Sequence, residues 1–378
     1  MAPVTGFVPP PYPHDRLGAF RRLAEVAPGG ILDCSVGSPT DPVPGVVRVV
    51  LEAGITPGYP PSIGSEVFRS AAAEWMERRL GVTVEPDAVI ACVGTKELVA
   101  SLPRMLHLRN PERDTVLYPA VSYPTYAMGA TLAGLRPVPV QLTDDWHLDL
   151  ETVAPDDAHR ALLLWVNQPG NPTGSAESEA RFGTTVQWAR SHGVTVASDE
   201  CYVEFTGMDG SDPAPATVLS AGSEGVLAVH SLSKRSNMAG LRAGFVAGDP
   251  DLVEYLGLVR KHAGLMVPAP VQAAAAAALG DDAHVDQQRR LYIERRAVVL
   301  ETLEPFGLLH DGGTATFYLW LRSDDGTDDG WEVAGRLAEA GTLVAPGDLY
   351  GPAGADHVRL ALVHPAERLA EGLARLGA

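Results

Sequence analysis

The sequence predicts an α/β protein: a mostly parallel central sheet in a large domain, with a smaller α/β domain beside it. Three observations carry this expectation. Strand-like and helical patterns alternate through most of the chain, as a parallel sheet with crossover helices requires. The strand-like runs are too short and too uniformly apolar to be surface helices. The chain has 378 residues, of which 46% are hydrophobic, enough for a substantial core and more than one domain.

Taken in order, Glu66 to Leu80 reads as an amphipathic helix with Val67, Ala71 or Ala72, Trp75 and Met76 as its apolar stripe. Val89 to Val93 is a strand running into Gly94-Thr95-Lys96-Glu97, and a helix then carries Leu98, Leu102 and Met105. Thr115 to Tyr118, Ala161 to Val166 and Val194 to Ser198 read as strands, with a helix from Arg181 to His192 between the last two. Gly225 to Ser231 and Arg242 to Ala247 add two more, and the short apolar run Ala273 to Leu279 is a buried helix. A long charged helix is expected over Asp281 to Leu303, then strands at Thr316 to Leu321 and Val358 to Val363, with Ser323 to Gly330 a solvated loop. The large domain is placed at residues 46–270; residues 1–45, as an arm, and 271–378 make the smaller domain.

Composition narrows the function classes. With 29 basic and 47 acidic residues the net charge is −18, which disfavours a nucleic-acid partner while leaving room for a local anion site. Cys34, Cys92 and Cys201 are isolated, so neither a disulfide framework nor a metal site is expected. No run approaches the length needed to span a bilayer, and the first residues lack a secretory pattern, so no membrane partner and a cytoplasmic location are expected. No Gly-x-Gly-x-x-Gly turn opens an early βαβ unit, which disfavours a nicotinamide dehydrogenase.

The chemistry collects in a few segments. Ser231-Leu232-Ser233-Lys234 follows a strand, and Arg242 stands close by. Lys234 alone would read as a solvated loop residue. Beside it, however, Ser231, Ser233 and Arg242 form a set able to bind a phosphate dianion. That anion would hold a cofactor aldehyde next to the Lys234 amine. Asp199 ends another strand; it could cap a helix, or face a ring nitrogen and keep it protonated, with Tyr202 three residues on. Asn167-Gln168-Pro169-Gly170-Asn171-Pro172-Thr173-Gly174 is a rigid turn from which Asn171 can point its amide at a ring hydroxyl. Gly94-Thr95-Lys96 offers free N–H groups at a helix start for phosphate. Tyr123 is either a core aromatic or a ring-stacking partner. Arg359, in a strand pattern, is either an edge-strand ion-pair partner or a bidentate grip for a carboxylate.

In this order NQPGNPTG, DECYVEF and SLSKRSNMAGLRAGF resemble the aspartate-aminotransferase-like superfamily of fold type I pyridoxal-phosphate enzymes. The resemblance runs from Gly37-Ser38-Pro39 to Val358-Arg359-Leu360. It implies that pyridoxal 5′-phosphate is bound covalently on Lys234, with Asp199 against the pyridine nitrogen and Asn171 and Tyr202 on the ring hydroxyl. It further implies that Thr95, with Lys96 beside it, Ser231, Ser233 and Arg242 hold phosphate, and that Tyr123 stacks on the ring. Arg359, Asn171 and Gly37 would meet the substrate carboxylate. Tyr59 matches a residue that reaches the neighbouring subunit's cofactor, so a homodimer with shared sites is implied.

The activity implied is amino-group transfer between amino and oxo acids, in which the Lys234 amine moves the substrate Cα proton. Within the superfamily the chain is similar to succinyldiaminopimelate transaminases of actinobacterial type through GTKELVASLP, the Lys234 segment and its length. That implies glutamate as donor and an N-succinylated keto acid as acceptor, in lysine and peptidoglycan-precursor synthesis. Aspartate, alanine or aromatic aminotransferases, β-lyases and decarboxylases share almost every cofactor residue and stay open. A regulator that merely kept the fold would carry a DNA-binding extension, which this acidic chain does not display. His230, Arg235, Lys261, Arg69 and Arg104 have no direction fixed by the sequence.

Overall fold

Alternating apolar runs and helices assemble here around a seven-stranded sheet. The computed structural model describes residues 6–53, 58–211 and 213–377. The strands are β1 (Val89–Cys92), β2 (Thr115–Pro119), β3 (Arg136–Val140), β4 (Ala161–Asn167), β5 (Thr195–Asp199), β6 (Val226–Ser231) and β7 (Gly244–Gly248), in the spatial order β1-β7-β6-β5-β4-β2-β3. From β6 to β3 all neighbours run parallel, and only β7 is antiparallel to both strands beside it. β4 is buried along its whole length, as a strand covered on both faces must be. The parallel strands therefore end at one edge of the sheet, where the following loops and helix starts converge.

Helices cover both faces: α1 (Glu66–Leu80), α2 (Thr95–Arg109), α3 (Thr125–Leu132) and α4 (Glu179–His192). α1 starts where Ser65 accepts a hydrogen bond from the Phe68 amide and stops at Gly81 in the left-handed conformation. Its buried stripe is Phe68, Ala72, Trp75 and Met76, whereas Val67 is 69% exposed, so the expected stripe was off by one residue at its start. α4 begins two residues before the expected Arg181, because Ser178 caps it.

Two further boundaries differ. Arg242 does not begin a strand: it has φ 58°, and β7 starts at Gly244. Thr316 likewise has φ 65°, and the strand follows from Tyr318. Past the one-turn helix α5 (Leu232–Arg235) comes the long α6 (Ala283–Leu303). A second, antiparallel sheet contains β8 (Leu308–His310), β9 (Tyr318–Ser323), β10 (Ala345–Pro346) and β11 (His357–Ala361), in the order β10-β11-β9-β8. Leu32–Asp33 pairs in parallel with Thr342–Leu343, tying the N-terminal arm to the C-terminal part of the chain. One apolar cluster joins Leu32 and Cys34 to Phe317, Leu319 and Leu360, and reaches Tyr202 and Phe205 at the edge of the large sheet. Among the described residues no helix is long and apolar enough to cross a membrane.

Candidate active site

The C-terminal ends of β1, β4, β5 and β6 open into one cavity of about 240 Å³. It is lined by Thr95 and Lys96 from the start of α2, Asn167 and Asn171 after β4, and Asp199, Cys201 and Tyr202 after β5. Ser231, Ser233 and Lys234 come from the end of β6 and α5, joined by Tyr123, Arg242, Gly37, Tyr318 and Arg359. Of the residues that the resemblance assigns to the site, all but Tyr59 line this cavity. Tyr59 is 94% exposed and lies on a separate groove with Ile63, Leu258 and Lys261.

Local structure aims each group. Ser231 caps α5, its hydroxyl accepting from the Ser233 amide at 3.2 Å, so the one-turn helix that carries Lys234 starts at the strand end. The Lys234 Nζ donates to the Gly37 carbonyl. The left-handed turn at Arg242 brings its guanidinium against Gly94, where an added Cβ would collide with it. Residue 94 must therefore be glycine if the α2 N-terminus and Arg242 are to share one anion. The Asn167 Oδ1 accepts from the Asn171 amide at 2.9 Å, which fixes the turn after β4.

The buried Arg359 guanidinium donates to Asn171 Oδ1 at 2.9 Å and to the Ser35 carbonyl at 2.6 Å, while its Nε is buried without a partner. Since Arg359 occupies the Asn171 amide oxygen, the amide NH₂ is the group left to donate to a ligand. Asp199 is held from two sides, by the Tyr126 hydroxyl at 2.8 Å and the Cys201 amide at 3.2 Å. Burial pushes its carboxyl above the ordinary value, against the pull of those hydrogen bonds and of the Lys234 charge. Burial also pushes the Cys201 thiol well up, so this cavity cysteine is a neutral neighbour of Thr95.

These residues fit pyridoxal phosphate. Lys234, Arg242 and Arg359 donate to neutral oxygens (Gly37, Ala239, and Asn171 with Ser35), which leaves their charge available to anionic groups. A protonated ring nitrogen would give buried Asp199 a directly facing counter-charge. The α2 N-terminus, Ser231, Ser233 and Arg242 lie together in the cavity as a set of donors that would suit a phosphate.

Sequence reasoning missed several lining residues, among them four aromatic ones. Tyr126 lies three residues after Tyr123 and meets its ring edge to face, a spacing that could have disclosed it. Tyr12 and His14 arrive from the N-terminal arm: the Tyr12 hydroxyl accepts from Lys96 at 3.1 Å, and the His14 ring stacks on Tyr12. Tyr318 projects from β9 and bonds Tyr202 at 2.9 Å. The undirected cations sort themselves differently. Arg235 is buried against Glu204 at 2.5 Å, Arg69 pairs with Asp87 at 2.6 Å, Arg104 faces solvent, and Lys261 lies on the Tyr59 groove.

Known proteins agree with this geometry. Residues 32–376 match the family described as Aminotransferase class I and II. The chain is 44% identical to the 4-dedimethylamino-4-oxo-anhydrotetracycline transaminase OxyQ of Streptomyces rimosus, over 97% of this chain and 99% of that protein. It is 35% identical to the LL-diaminopimelate aminotransferase of Aquifex aeolicus, over 92% and 90%. A solved structure from Thermus thermophilus, described as a probable N-succinyldiaminopimelate aminotransferase, superposes with a TM-score of 0.85 at 32% identity, covering 96% and 98%. The narrower expectation of a succinylated substrate is not confirmed by these relatives: the transaminase OxyQ, at 44% identity, is more similar to this chain than the probable N-succinyldiaminopimelate aminotransferase, at 32%. The motifs behind that expectation serve the cofactor, which all these enzymes share. Family, fold and cavity converge: the chain belongs to the class I and II aminotransferases and is a pyridoxal-phosphate-dependent aminotransferase.

Proposed function

We propose that Lys234 carries the cofactor and moves the substrate Cα proton, and that Asp199 keeps the ring nitrogen charged. The observation that carries this reading is the convergence of Lys234, Asp199, Asn171, Tyr202 and the donors suited to phosphate in one cavity. Bound there, pyridoxal phosphate supplies the electron sink for the carbanion formed at Cα. Asn171 and Tyr202 donate to the ring oxygen, Tyr123 stacks on the ring, and Thr95, Ser231, Ser233 and Arg242 hold the phosphate. Arg359 grips the α-carboxylate with its planar fork, oriented by Asn171 and the Ser35 carbonyl. Gly37 lets the backbone approach the same carboxylate. Each acid in turn binds at one site, so donor and acceptor alternate.

Lys96, whose backbone N–H at the α2 start is expected near the phosphate, extends its side chain to Tyr12, and its Nζ lies 5.9 Å from the Tyr123 ring centroid. With His14 it offers a cation and polar donors for the far end of a substrate. We infer a long amino acid with a distal polar group, of the diaminopimelate class, as substrate, N-succinyl-L,L-diaminopimelate being the specific reading and 2-oxoglutarate the acceptor. The similarity to OxyQ favours a second reading, a bulky cyclic ketone as amino acceptor. Relative kcat/KM across succinylated and free L,L-diaminopimelate, aspartate, alanine and an aromatic amino acid tests this. At least a tenfold lead for the succinylated compound, about 1.4 kcal/mol, is expected. A lead for free diaminopimelate removes the succinyl group from the account, and failure of every diaminopimelate leaves the ketone reading.

The proposal includes a homodimer in which Tyr59 completes the neighbouring subunit's site. Its exposure and its position outside this chain's cavity support that role.

A further inference from the structure

Tyr318 is absent from every motif that carries the cofactor chemistry, yet it touches three of the groups on which that chemistry rests. Its Oη lies 2.9 Å from the Tyr202 Oη. The Arg359 guanidinium carbon stands 4.2 Å from the centroid of its ring, and Tyr350 meets the same guanidinium at 4.9 Å. Its phenol also fills the space in which a side chain at residue 37 would begin, so Gly37, whose carbonyl receives Lys234, is restricted to glycine while Tyr318 stands. β9 fixes the side chain, pairing Tyr318 with Ala361, and the Thr316 hydroxyl accepts from the Tyr318 amide at 3.2 Å.

The direction of the phenol pair follows from proton counting. Tyr202 has a single hydroxyl proton. If Tyr202 gives it to the cofactor's ring oxygen, the bond between the phenols can be made only with Tyr318 as donor. A phenol that accepts one hydrogen bond becomes a stronger donor in the next. At the same time the Tyr318 ring face holds a buried cation whose Nε has no other partner.

We propose that Tyr318 is a positioning residue with two separable parts: its hydroxyl strengthens Tyr202 as donor to the cofactor ring, and its ring holds Arg359 for the α-carboxylate. This rests on the functional reading above. Two variants of the holoenzyme separate the parts, because Tyr318→Phe keeps the ring and loses the hydroxyl, whereas Tyr318→Leu loses both.

The readouts are the pH midpoint of the cofactor's visible absorbance band and the split between KM and kcat for the amino donor. Without the Tyr318 hydroxyl the ring oxygen is less stabilised as an anion and holds its shared proton more tightly. The midpoint should therefore rise by roughly 0.5 pH units in Tyr318→Phe, with KM within about threefold of native. Tyr318→Leu should show the same midpoint shift with KM raised about tenfold, the scale of one lost cation–π contact. Should Tyr318→Leu not fold, Tyr318→Met serves the second arm. An unchanged midpoint in Tyr318→Phe, or equal KM changes in the two variants, overturns the inference while leaving the function standing. A native protein with no visible band overturns both.

Discussion

Next to the catalytic candidates, Glu200 and His230 form a buried pair whose charge state the structure decides. The His230 Nε2 lies 3.6 Å from Glu200 Oε2, and neither His230 ring nitrogen has a hydrogen-bond partner. Burial pushes Glu200 up to about 7 and His230 down to about 3, so the histidine is neutral near neutral pH and the two do not form an ion pair. Between pH 4.5 and 7 folded Glu200 keeps a proton that the unfolded chain has released, so its effect is to lower stability as pH rises. His230 acts oppositely between pH 3 and 6.5, where the unfolded chain binds the proton, and contributes nothing further above that window. Glu200→Gln keeps an oxygen for the Val218 amide, which Glu200 Oε1 receives at 2.7 Å. This variant should gain on the native protein by up to about 3 kcal/mol between pH 5 and pH 8. Thermal melts at the two values measure it, and a variant-minus-native difference that ignores pH would contradict the buried-carboxyl account. The sequence disclosed residues sitting in contiguous motifs, such as Asn171 in its Pro/Gly turn and Lys234 in its serine-rich segment. It left His230 open, and the structure makes it a packed strand residue, 5.0 Å from both Trp75 and Phe245. Tyr318 stayed hidden because nothing in an apolar strand says which face looks into a cavity.

Among the elements, legibility followed the strength of the local signal. α1 has a Ser cap, a glycine stop and a clear apolar stripe, and its ends were readable to the residue. The stripe itself slipped at Val67 because valine and phenylalanine are adjacent and only packing against the sheet selects Phe68. β3, Arg136–Val140, was not foreseen: its Pro137 and Pro139 argue against a strand. It is tolerated because β3 is the sheet's edge and pairs only with β2, so the missing amide donors can face outward. Arg242 was read into a strand because positive φ is unusual for a residue other than glycine. The turn it makes instead is what aims its guanidinium at the α2 N-terminus.

Across the whole molecule, the parallel strand ends and the N-terminal arm make one site from segments as distant as Gly37, Lys234 and Arg359. The fold class was legible because alternation of strands and helices leaves few topologies, whereas specificity was not, because the distal contacts proposed for Tyr12 and His14 lie in an arm that carries no motif. An impaired Tyr59 variant and inactive Lys234→Ala should, when mixed, show more activity than either alone, through hybrid dimers with one intact site. Activity in a protein shown to be monomeric at assay concentration would defeat that picture. Covalent attachment of the cofactor at Lys234 is tested by reducing the holoenzyme with borohydride and mapping the labelled peptide. A single adduct on Lys234 is expected, with Lys234→Ala losing the visible band but melting within a few degrees of native. An adduct on Lys96 or Lys261 instead would contradict it.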